Sequence, residues 1–351
     1  MTSKSKLVRR RQSPPNAVQI ELTEGCSLNC RFCGVQGIRE GRGGYKFMTH
    51  NTVEAIVSRL GADMRNNGWN PRIEFAMHGE PTMNPNTVAL VRKFGELKPR
   101  ELIVVSNGTG FVKDPTGYTA ALVDAGVTSI CLDEYDGCDF VAKFRDGYSG
   151  PTPVYVFTQG HKFRGTPKSP CVVIKSDVSG LTTPYDKLNT HCGGGGPPGE
   201  TNSAIDKRCA KPFRELSIRW DGNVSFCCND FRGVYKVANV REFDSLDELW
   251  HHERFEASRQ MLYAGDRRFM PCMWCDAISP RVGLLPDKYG KDEVRPPSAA
   301  TARIIGEALA GVPYTVPVLR SWETGDGEPC LPPEALQQLG VLKRQPIDAL
   351  V

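Results

Sequence analysis

Strand-like and helix-like patterns alternate along the first half of the chain. Short apolar runs that stop at polar or glycine-rich turns predict strands, and apolar residues three or four positions apart predict helices. The predicted strands span 18–22, 73–77, 102–105, 129–132, 154–157 and 172–174, and the predicted helices span 51–64, 87–97 and 118–124. This alternation implies a parallel sheet with helical crossovers. We therefore expect an α/β fold, a partial (β/α)6 TIM-like barrel, over residues 17–190.

The pattern changes after a linker rich in glycine and proline at 191–204. Asp221-Gly222 lies between two alternating runs and predicts a hairpin with a two-residue turn. Ser245 and Glu248 form a capping-box pattern that opens a helix to about Tyr263. Residues 205–280 are therefore expected to form a small α+β module.

Both ends of the chain differ from this pattern. Residues 1–16 are expected to be a basic flexible arm, and residues 281–351 a proline-rich extension with one helix near 299–309.

Composition and charge exclude some classes of protein. The chain has 351 residues, with 44 basic and 40 acidic side chains and a net charge of +4, which is too small an excess to mark a nucleic-acid binder. No apolar stretch approaches the roughly 18 residues of a membrane helix, and the basic N-terminus lacks the apolar core of a secretory signal. A cytoplasmic protein without a membrane partner is expected.

The thirteen cysteines are unusual, because clustered cysteines in a reducing compartment more often bind metal than form disulfides. Cys26, Cys30 and Cys33 have the spacing C-x3-C-x2-C and follow the first predicted strand. Three thiolates on one loop can bind three irons of a cubic iron–sulfur cluster and leave the fourth iron open. Structural zinc takes four protein ligands, so a lone triplet fits zinc poorly.

With Phe32 before the last cysteine, this motif resembles the signature of radical S-adenosylmethionine (SAM) enzymes. The sequence His78-Gly79-Glu80-Pro81 follows the second strand and resembles the Gly-Gly-Glu-Pro motif of that family, with His78 in place of the first glycine. The resemblance covers about residues 17–180. It implies that SAM contacts residues of the cysteine loop and of successive strand ends, namely Phe32, Gly79, Glu80, Pro81, Ser106, Asn107 and Asp133.

The same resemblance implies a chemistry. The open iron chelates SAM, and one electron from an external donor of the flavodoxin or ferredoxin type cleaves it. The resulting 5′-deoxyadenosyl radical abstracts a hydrogen atom from the substrate. The cofactor carries the difficult chemistry, and the protein positions the substrate and excludes water.

A second set of cysteines lies in the C-terminal module at positions 209, 227, 272 and 275, with the spacing C-x17-C-x44-C-x2-C. Four thiolates satisfy a cubic cluster fully. Cys209, Cys227, Cys272 and Cys275 resemble the ligands of the twitch module, the shortened SPASM domain, which holds an auxiliary [4Fe–4S] cluster. Cys228 is an alternative ligand to Cys227, and a structural zinc ribbon is an alternative to the cluster.

Several functions fit these motifs. The favoured hypothesis is a radical SAM enzyme that oxidises, epimerises or rearranges a small-molecule, sugar or nucleotide-type substrate. Cys192, in the linker, is a candidate hydrogen-atom donor or an ordinary free thiol. The alternatives are modification of a ribosomal peptide or of a nucleic-acid base. Outside the class, the alternative is a non-catalytic zinc-stabilised protein that binds nucleic acid.

Overall fold

The computed structural model describes residues 13–30, 33–35, 44–158, 167–178, 181–182, 209–275 and 299–310. The strands in these ranges are β1 (Ala17–Ile20), β2 (Thr23–Glu24), β3 (Lys46–Phe47), β4 (Arg72–Phe75), β5 (Glu101–Ser106), β6 (Ser129–Tyr135), β7 (Val154–Thr158), β8 (Cys171–Val178), β9 (Glu215–Ile218), β10 (Asn223–Ser225) and β11 (Lys236–Asn239). The helices are α1 (His50–Asn66), α2 (Thr87–Gly95), α3 (Pro115–Asp124), α4 (Phe140–Gly147), α5 (Leu246–Trp250), α6 (Glu253–Tyr263) and α7 (Ala299–Ala308).

One sheet carries most of the described strands, in the order β11-β10-β9-β1-β4-β5-β6-β8-β7. The strands from β9 to β7 are parallel to their neighbours, whereas β10 and β11 are antiparallel. The predicted α/β fold with a parallel sheet is confirmed. Because β9 pairs with β1 in register (Ala17 opposite Glu215), the sheet continues without a break into the C-terminal part of the chain.

The hydrophobic core lies against one face of this sheet. Val18 and Ile20 of β1, and Ile73 and Phe75 of β4, are fully buried in it. Successive side chains of a strand point to opposite faces, so polar side chains such as Gln19 lie on the other face. That face is the interior of the partial barrel, and such folds place their sites at the carboxyl ends of the strands.

Helix α1 anchors the C-terminal part to the barrel. It begins at the Thr49 cap, whose side chain accepts a hydrogen bond from the Thr52 amide. At its other end, Asp63 is fully buried and accepts hydrogen bonds from the first two amides of α5, Leu246 N–H (2.7 Å) and Asp247 N–H (3.1 Å). A carboxylate beside free amides at a helix N-terminus is stabilising, so this contact fixes α5 against α1.

The predicted hairpin is present, but its turn differs from the prediction. Arg219 N–H donates to Asn223 O at 2.8 Å, and Gly222 N–H donates to Arg219 O at 2.9 Å, so the loop 220–222 has three residues rather than two. Gly222 has a φ of +84° and ends this loop in the left-handed region. Three-residue hairpin loops commonly combine a tight turn with one such residue, and glycine adopts it at least cost.

The single helix predicted from Ser245 to about Tyr263 is two helices in the structure, α5 and α6. The side chain of Ser245 caps α5 by accepting from Glu248 N–H at 3.0 Å, as the capping-box pattern predicts. The break follows from a second cap, because the side chain of His252 accepts from Arg254 N–H and opens α6. The predicted linker 191–204 and most of the predicted arm and extension lie outside the described residues.

Among the residues that the structure describes, no helix has the length and apolar character needed to cross a bilayer.

Candidate functional site: two cysteine centres

The first centre is the loop of Cys26, Cys30 and Cys33, which follows β2. Cys33 N–H donates to Cys30 O at 2.9 Å and makes a tight turn between these two cysteines. The sulfur of Cys26 accepts hydrogen bonds from Leu28 N–H (3.4 Å) and from the side-chain amide of Asn107 (3.3 Å). Such donors suit a thiolate, so the loop is preorganised to present Cys26 as a ligand. Phe32 lies outside the described residues.

The electrostatics of this loop test whether it fits a metal cluster. The pKa of Cys30 is raised to about 12, by burial first and then by the nearby Cys33 and Cys26. Burial, the nearby Asp133 and then the three cysteines of the loop hold the pKa of Tyr135 well above its usual value. Three thiolates this close repel one another unless cations sit between them. The donor set therefore fits a group of metal ions, and thiolate is the ligand of iron–sulfur clusters.

The Gly79-Glu80 segment extends the sheet beside the cysteine loop. Gly25 N–H donates to His78 O (3.1 Å) and Glu80 N–H donates to Gly25 O (2.9 Å), which forms a parallel bridge between Gly25 and Gly79. A Cβ atom on Gly79 would lie 2.0 Å from the carbonyl oxygen of Thr23. Only glycine permits this approach, which places the segment directly against the residue that precedes Cys26.

The carboxylate of Glu80 organises the neighbouring strand end. It is buried and accepts hydrogen bonds from Thr82 N–H and Oγ, Ser106 Oγ (2.8 Å) and Asn107 N–H (2.7 Å). Pro81 then begins a short 3₁₀ turn. Because Glu80 positions Ser106 and Asn107, and Asn107 contacts Cys26, the three predicted segments meet at one place at the end of β4 and β5.

Asp133 lies on β6 and forms an ion pair with Lys175 of β8 at 3.2 Å. Two residues further on, Tyr135 lies within electrostatic reach of the cysteine loop, and Cys138 is one of the groups that raise the pKa of Cys30. Neither Tyr135 nor Cys138 was predicted from the sequence to belong to this centre. Their position at the carboxyl end of a parallel strand was the available signal.

The second centre is a cavity in the C-terminal part of the chain. It is lined by four thiols together with the buried Arg267, and those thiols belong to Cys209, Cys227, Cys272 and Cys275. Cys275 N–H donates to Cys272 O at 3.1 Å, and this turn brings the C-x2-C pair to one wall. The four predicted side chains therefore surround one space.

The electrostatics of the thiols also indicate whether this cavity suits a metal cluster. Burial holds the pKa of Cys272 well above its usual value, the nearby Cys275 and Cys209 raise it further, and Arg267 opposes the shift. Arg267 likewise opposes the burial that raises the pKa of Cys209. Four thiols stand around one space, and four thiolates satisfy every iron of a cubic iron–sulfur cluster.

The side chains of Cys227 and Cys228 point in different directions. Cys227 lines the cavity, whereas the sulfur of Cys228 lies 2.8 Å from the ammonium of Lys211, which also pairs with Glu215 at 2.8 Å. The geometry therefore favours Cys227 as the ligand. Cys192, the candidate hydrogen-atom donor, lies outside the described residues.

Comparison with known families agrees with both centres. Residues 20–133 match the model of the radical SAM superfamily, and residues 209–276 match the SPASM model, an iron–sulfur cluster-binding domain. The chain is a radical SAM enzyme with a SPASM domain. Its cofactors are SAM, a SAM-binding [4Fe–4S] cluster and an auxiliary [4Fe–4S] cluster. Because the SPASM domain binds an iron–sulfur cluster, this match favours iron over zinc at the second centre.

One relative and one solved structure match about three quarters of this radical SAM chain, and a second relative matches about a third of it. It is 23% identical over 265 residues, 75% of this chain and 93% of the relative, to the S-adenosyl-L-methionine-dependent 2-deoxy-scyllo-inosamine dehydrogenase of Niallia circulans. A probable GTP 3′,8-cyclase of Methanothermobacter thermautotrophicus is 25% identical over 34% of this chain and 35% of the relative. A crystal structure of BtrN with AdoMet and 2-DOIA shares the fold, with a TM-score of 0.57, 20% identity, and coverage of 76% of this chain and 95% of that one.

Proposed function

We propose that this radical SAM enzyme is a dehydrogenase that oxidises an alcohol carbon of a small polyhydroxylated molecule to a ketone. The observation that carries the proposal is the cavity lined by Cys209, Cys227, Cys272 and Cys275. Four thiolates leave no iron of a cubic cluster open to substrate, so the auxiliary cluster is suited to electron transfer. The similarity to a SAM-dependent dehydrogenase over 93% of that relative supports the same reaction class.

In the proposed oxidation SAM at the first centre would supply the radical that accepts one hydrogen atom, the auxiliary cluster would accept one electron, and one proton would pass to solvent. In this proposal Cys26, Cys30 and Cys33 hold the SAM-binding cluster. Gly79, Glu80, Pro81, Ser106, Asn107 and Asp133 are proposed to contact SAM or to position the groups that do. The buried Glu80 carboxylate accepts from the backbone N–H of Asn107, and the side-chain amide of Asn107 donates to the sulfur of Cys26.

The interior face of the sheet is the proposed substrate surface. Gln19 lies between two carboxylates, with its side-chain amide 3.1 Å from Glu74 and 3.3 Å from Glu215. The Asp133–Lys175 pair lies further along the same face. Hydroxyl groups both donate and accept, so this mixture of carboxylate, amide and ammonium groups suits a polyhydroxylated substrate. An external donor of the flavodoxin or ferredoxin type is proposed to supply the electron that initiates SAM cleavage.

The test uses the anaerobically reconstituted chain with SAM, dithionite and 2-deoxy-scyllo-inosamine or related cyclitols and sugars. The expected result is 5′-deoxyadenosine together with a product lighter by two hydrogen atoms. Deuterium at the oxidised carbon should appear in 5′-deoxyadenosine. A product of unchanged mass would contradict the proposal, and if its formation required Cys192, epimerisation would replace oxidation as the assigned reaction.

Iron content gives a matched control for the two centres. Two four-iron clusters correspond to about eight irons per chain. Cys26→Ala should abolish SAM cleavage and retain about half of the iron, while Cys272→Ala should lose the other half. A single variant that loses no iron would show that its cysteine is not a ligand.

A further inference from the structure

His78 occupies the position where the family motif has its first glycine, and its side chain points into the protein. The ring is fully buried, and both of its nitrogens are used. Nδ1 lies 2.8 Å from the carboxylate of Glu21, and Nε2 lies 2.6 Å from the backbone oxygen of Cys228. A carbonyl oxygen only accepts, so Nε2 carries the hydrogen and donates to Cys228.

His78 is hydrogen-bonded to both cysteine loops. Its own carbonyl accepts from Gly25 N–H at 3.1 Å, one residue before Cys26. Its ring donates to the carbonyl of Cys228, one residue after Cys227. Met77, which precedes it, has a φ of +85°. This left-handed conformation is costly for methionine and persists only where the surrounding structure enforces it.

The peptide unit that receives the His78 hydrogen bond continues to the auxiliary centre. The carbonyl of Cys228 and the N–H of Asn229 belong to the same amide, and Asn229 N–H donates to the sulfur of Cys227 at 3.4 Å. A chain of hydrogen bonds therefore runs from the His78 ring, through one amide, to a sulfur that lines the cluster cavity. Hydrogen bonds in such a chain polarise and strengthen one another.

The ring is held in this direction by its neighbours. Glu21 is also buried, accepts from Trp220 N–H and lies 3.7 Å from the guanidinium of Arg219. The ring of Phe231 lies 4.7 Å from the imidazole, centroid to centroid. Polar groups buried in this way are rigid when they are all satisfied, so His78 has little freedom to turn away from Cys228.

We propose that His78 is a positioning residue that tunes the auxiliary cluster. By donating to the Cys228 carbonyl it strengthens the N–H···S bond to Cys227 and holds that loop against the SAM-binding loop. Hydrogen bonds to cluster sulfurs stabilise the more negative, reduced state and so raise the reduction potential. The inference needs the auxiliary cluster but not the proposed alcohol oxidation.

Two variants separate the two ring nitrogens. In His78→Gln the side-chain amide can reach the position of Nε2, so the donor to Cys228 is kept while the contact with Glu21 is lost. In His78→Asn the shorter amide can reach only the position of Nδ1, so the contact with Glu21 is kept while the donor to Cys228 is lost. A structural role in packing would make the two variants similar, whereas the proposed role makes them different.

The experiment measures the auxiliary cluster alone. Each variant is made in the full chain with Cys26, Cys30 and Cys33 replaced by alanine, reconstituted, and titrated with redox mediators while the electron paramagnetic resonance spectrum is recorded. The expected result is a lower midpoint potential and altered g-values for His78→Asn, with His78→Gln close to the parent. Iron loss in His78→Asn alone would support the same role.

Three results would overturn the proposal. They are unchanged potentials in both variants, equal shifts in both, and loss of iron from both. These readouts do not depend on substrate. A chain that failed to oxidise any alcohol but showed the predicted difference between the variants would refute the dehydrogenase and leave the role of His78 intact.

Discussion

Replacement of Gly79 by alanine tests whether the bridge to Gly25 aligns the SAM-binding site. The new Cβ atom would lie 2.0 Å from the carbonyl oxygen of Thr23 and 2.5 Å from that of Gly25. Both are backbone atoms of the segment that leads into Cys26, so no side chain can rotate to relieve the contact. The end of the strand has to move by about 1.4 Å to bring the closer contact to 3.4 Å, where ordinary van der Waals contact begins. Close-packed interiors transmit such a displacement to their neighbours.

The energetic cost follows from the contacts that are lost. Overpacking of a well-packed region costs about 1–3 kcal/mol. A shift of this size also breaks the hydrogen bonds of Gly25 N–H with His78 and of Glu80 N–H with Gly25, each worth about 1 kcal/mol. We expect Gly79→Ala to lower the free energy of unfolding by about 3–5 kcal/mol. Since the displaced segment carries Cys26, formation of 5′-deoxyadenosine should also fall sharply.

The assay is anaerobic denaturant unfolding of the reconstituted chain, together with the rate of 5′-deoxyadenosine formation. Gly306→Ala is the matched control, because this glycine lies in α7 and its Cβ would meet nothing within 4 Å. The control should stabilise the chain by up to about 1 kcal/mol through helix propensity. A free energy of unfolding for Gly79→Ala within about 0.5 kcal/mol of the parent, the range of an ordinary surface substitution, would show that the bridge does not constrain this segment.

Three further predictions concern the C-terminal half. Asp63→Ala leaves two buried amides of α5 without an acceptor and should cost about 2–4 kcal/mol in urea unfolding; an unchanged midpoint would show that α5 is held by other contacts. Arg267→Gln removes the buried charge beside the thiols and should speed iron loss to a chelator several-fold, whereas Arg268→Gln, about half exposed, should not. Cys227→Ala should lose about four irons and Cys228→Ala none; the reverse result would reassign the ligand.

The elements of the fold that depend on local pattern were predictable from the sequence. The alternation of apolar residues located the strands of the parallel sheet to within a few residues, since one face of each strand must be buried. The pairing of β9 with β1 was not predictable, because Ala17 and Glu215 are far apart in sequence and no local signal records their contact. The position of β8 between β6 and β7 has the same explanation.

Some features of the candidate site were likewise predictable from the sequence, and others were not. Cysteine spacing identified the thiols that line the second cavity, because ligands of one cluster must come from loops of suitable length. Spacing favoured Cys227 over Cys228 but left Cys228 as an alternative, and in the structure Cys227 lines the cavity whereas Cys228 contacts Lys211. The role of His78 was also hidden, since its direction depends on the left-handed turn at Met77 and on partners from distant parts of the chain.

The shared sheet limits how this enzyme can be re-engineered. Strand β1 is hydrogen-bonded to β4 on one edge and to β9 on the other. The C-terminal domain therefore supplies one of the two neighbouring strands of a central strand. Truncation before β9 would leave that edge open, and unpaired edges are templates for aggregation. Chimeras that exchange this domain between relatives should therefore carry β9 and β1 from the same parent, and the crossover point belongs outside the sheet.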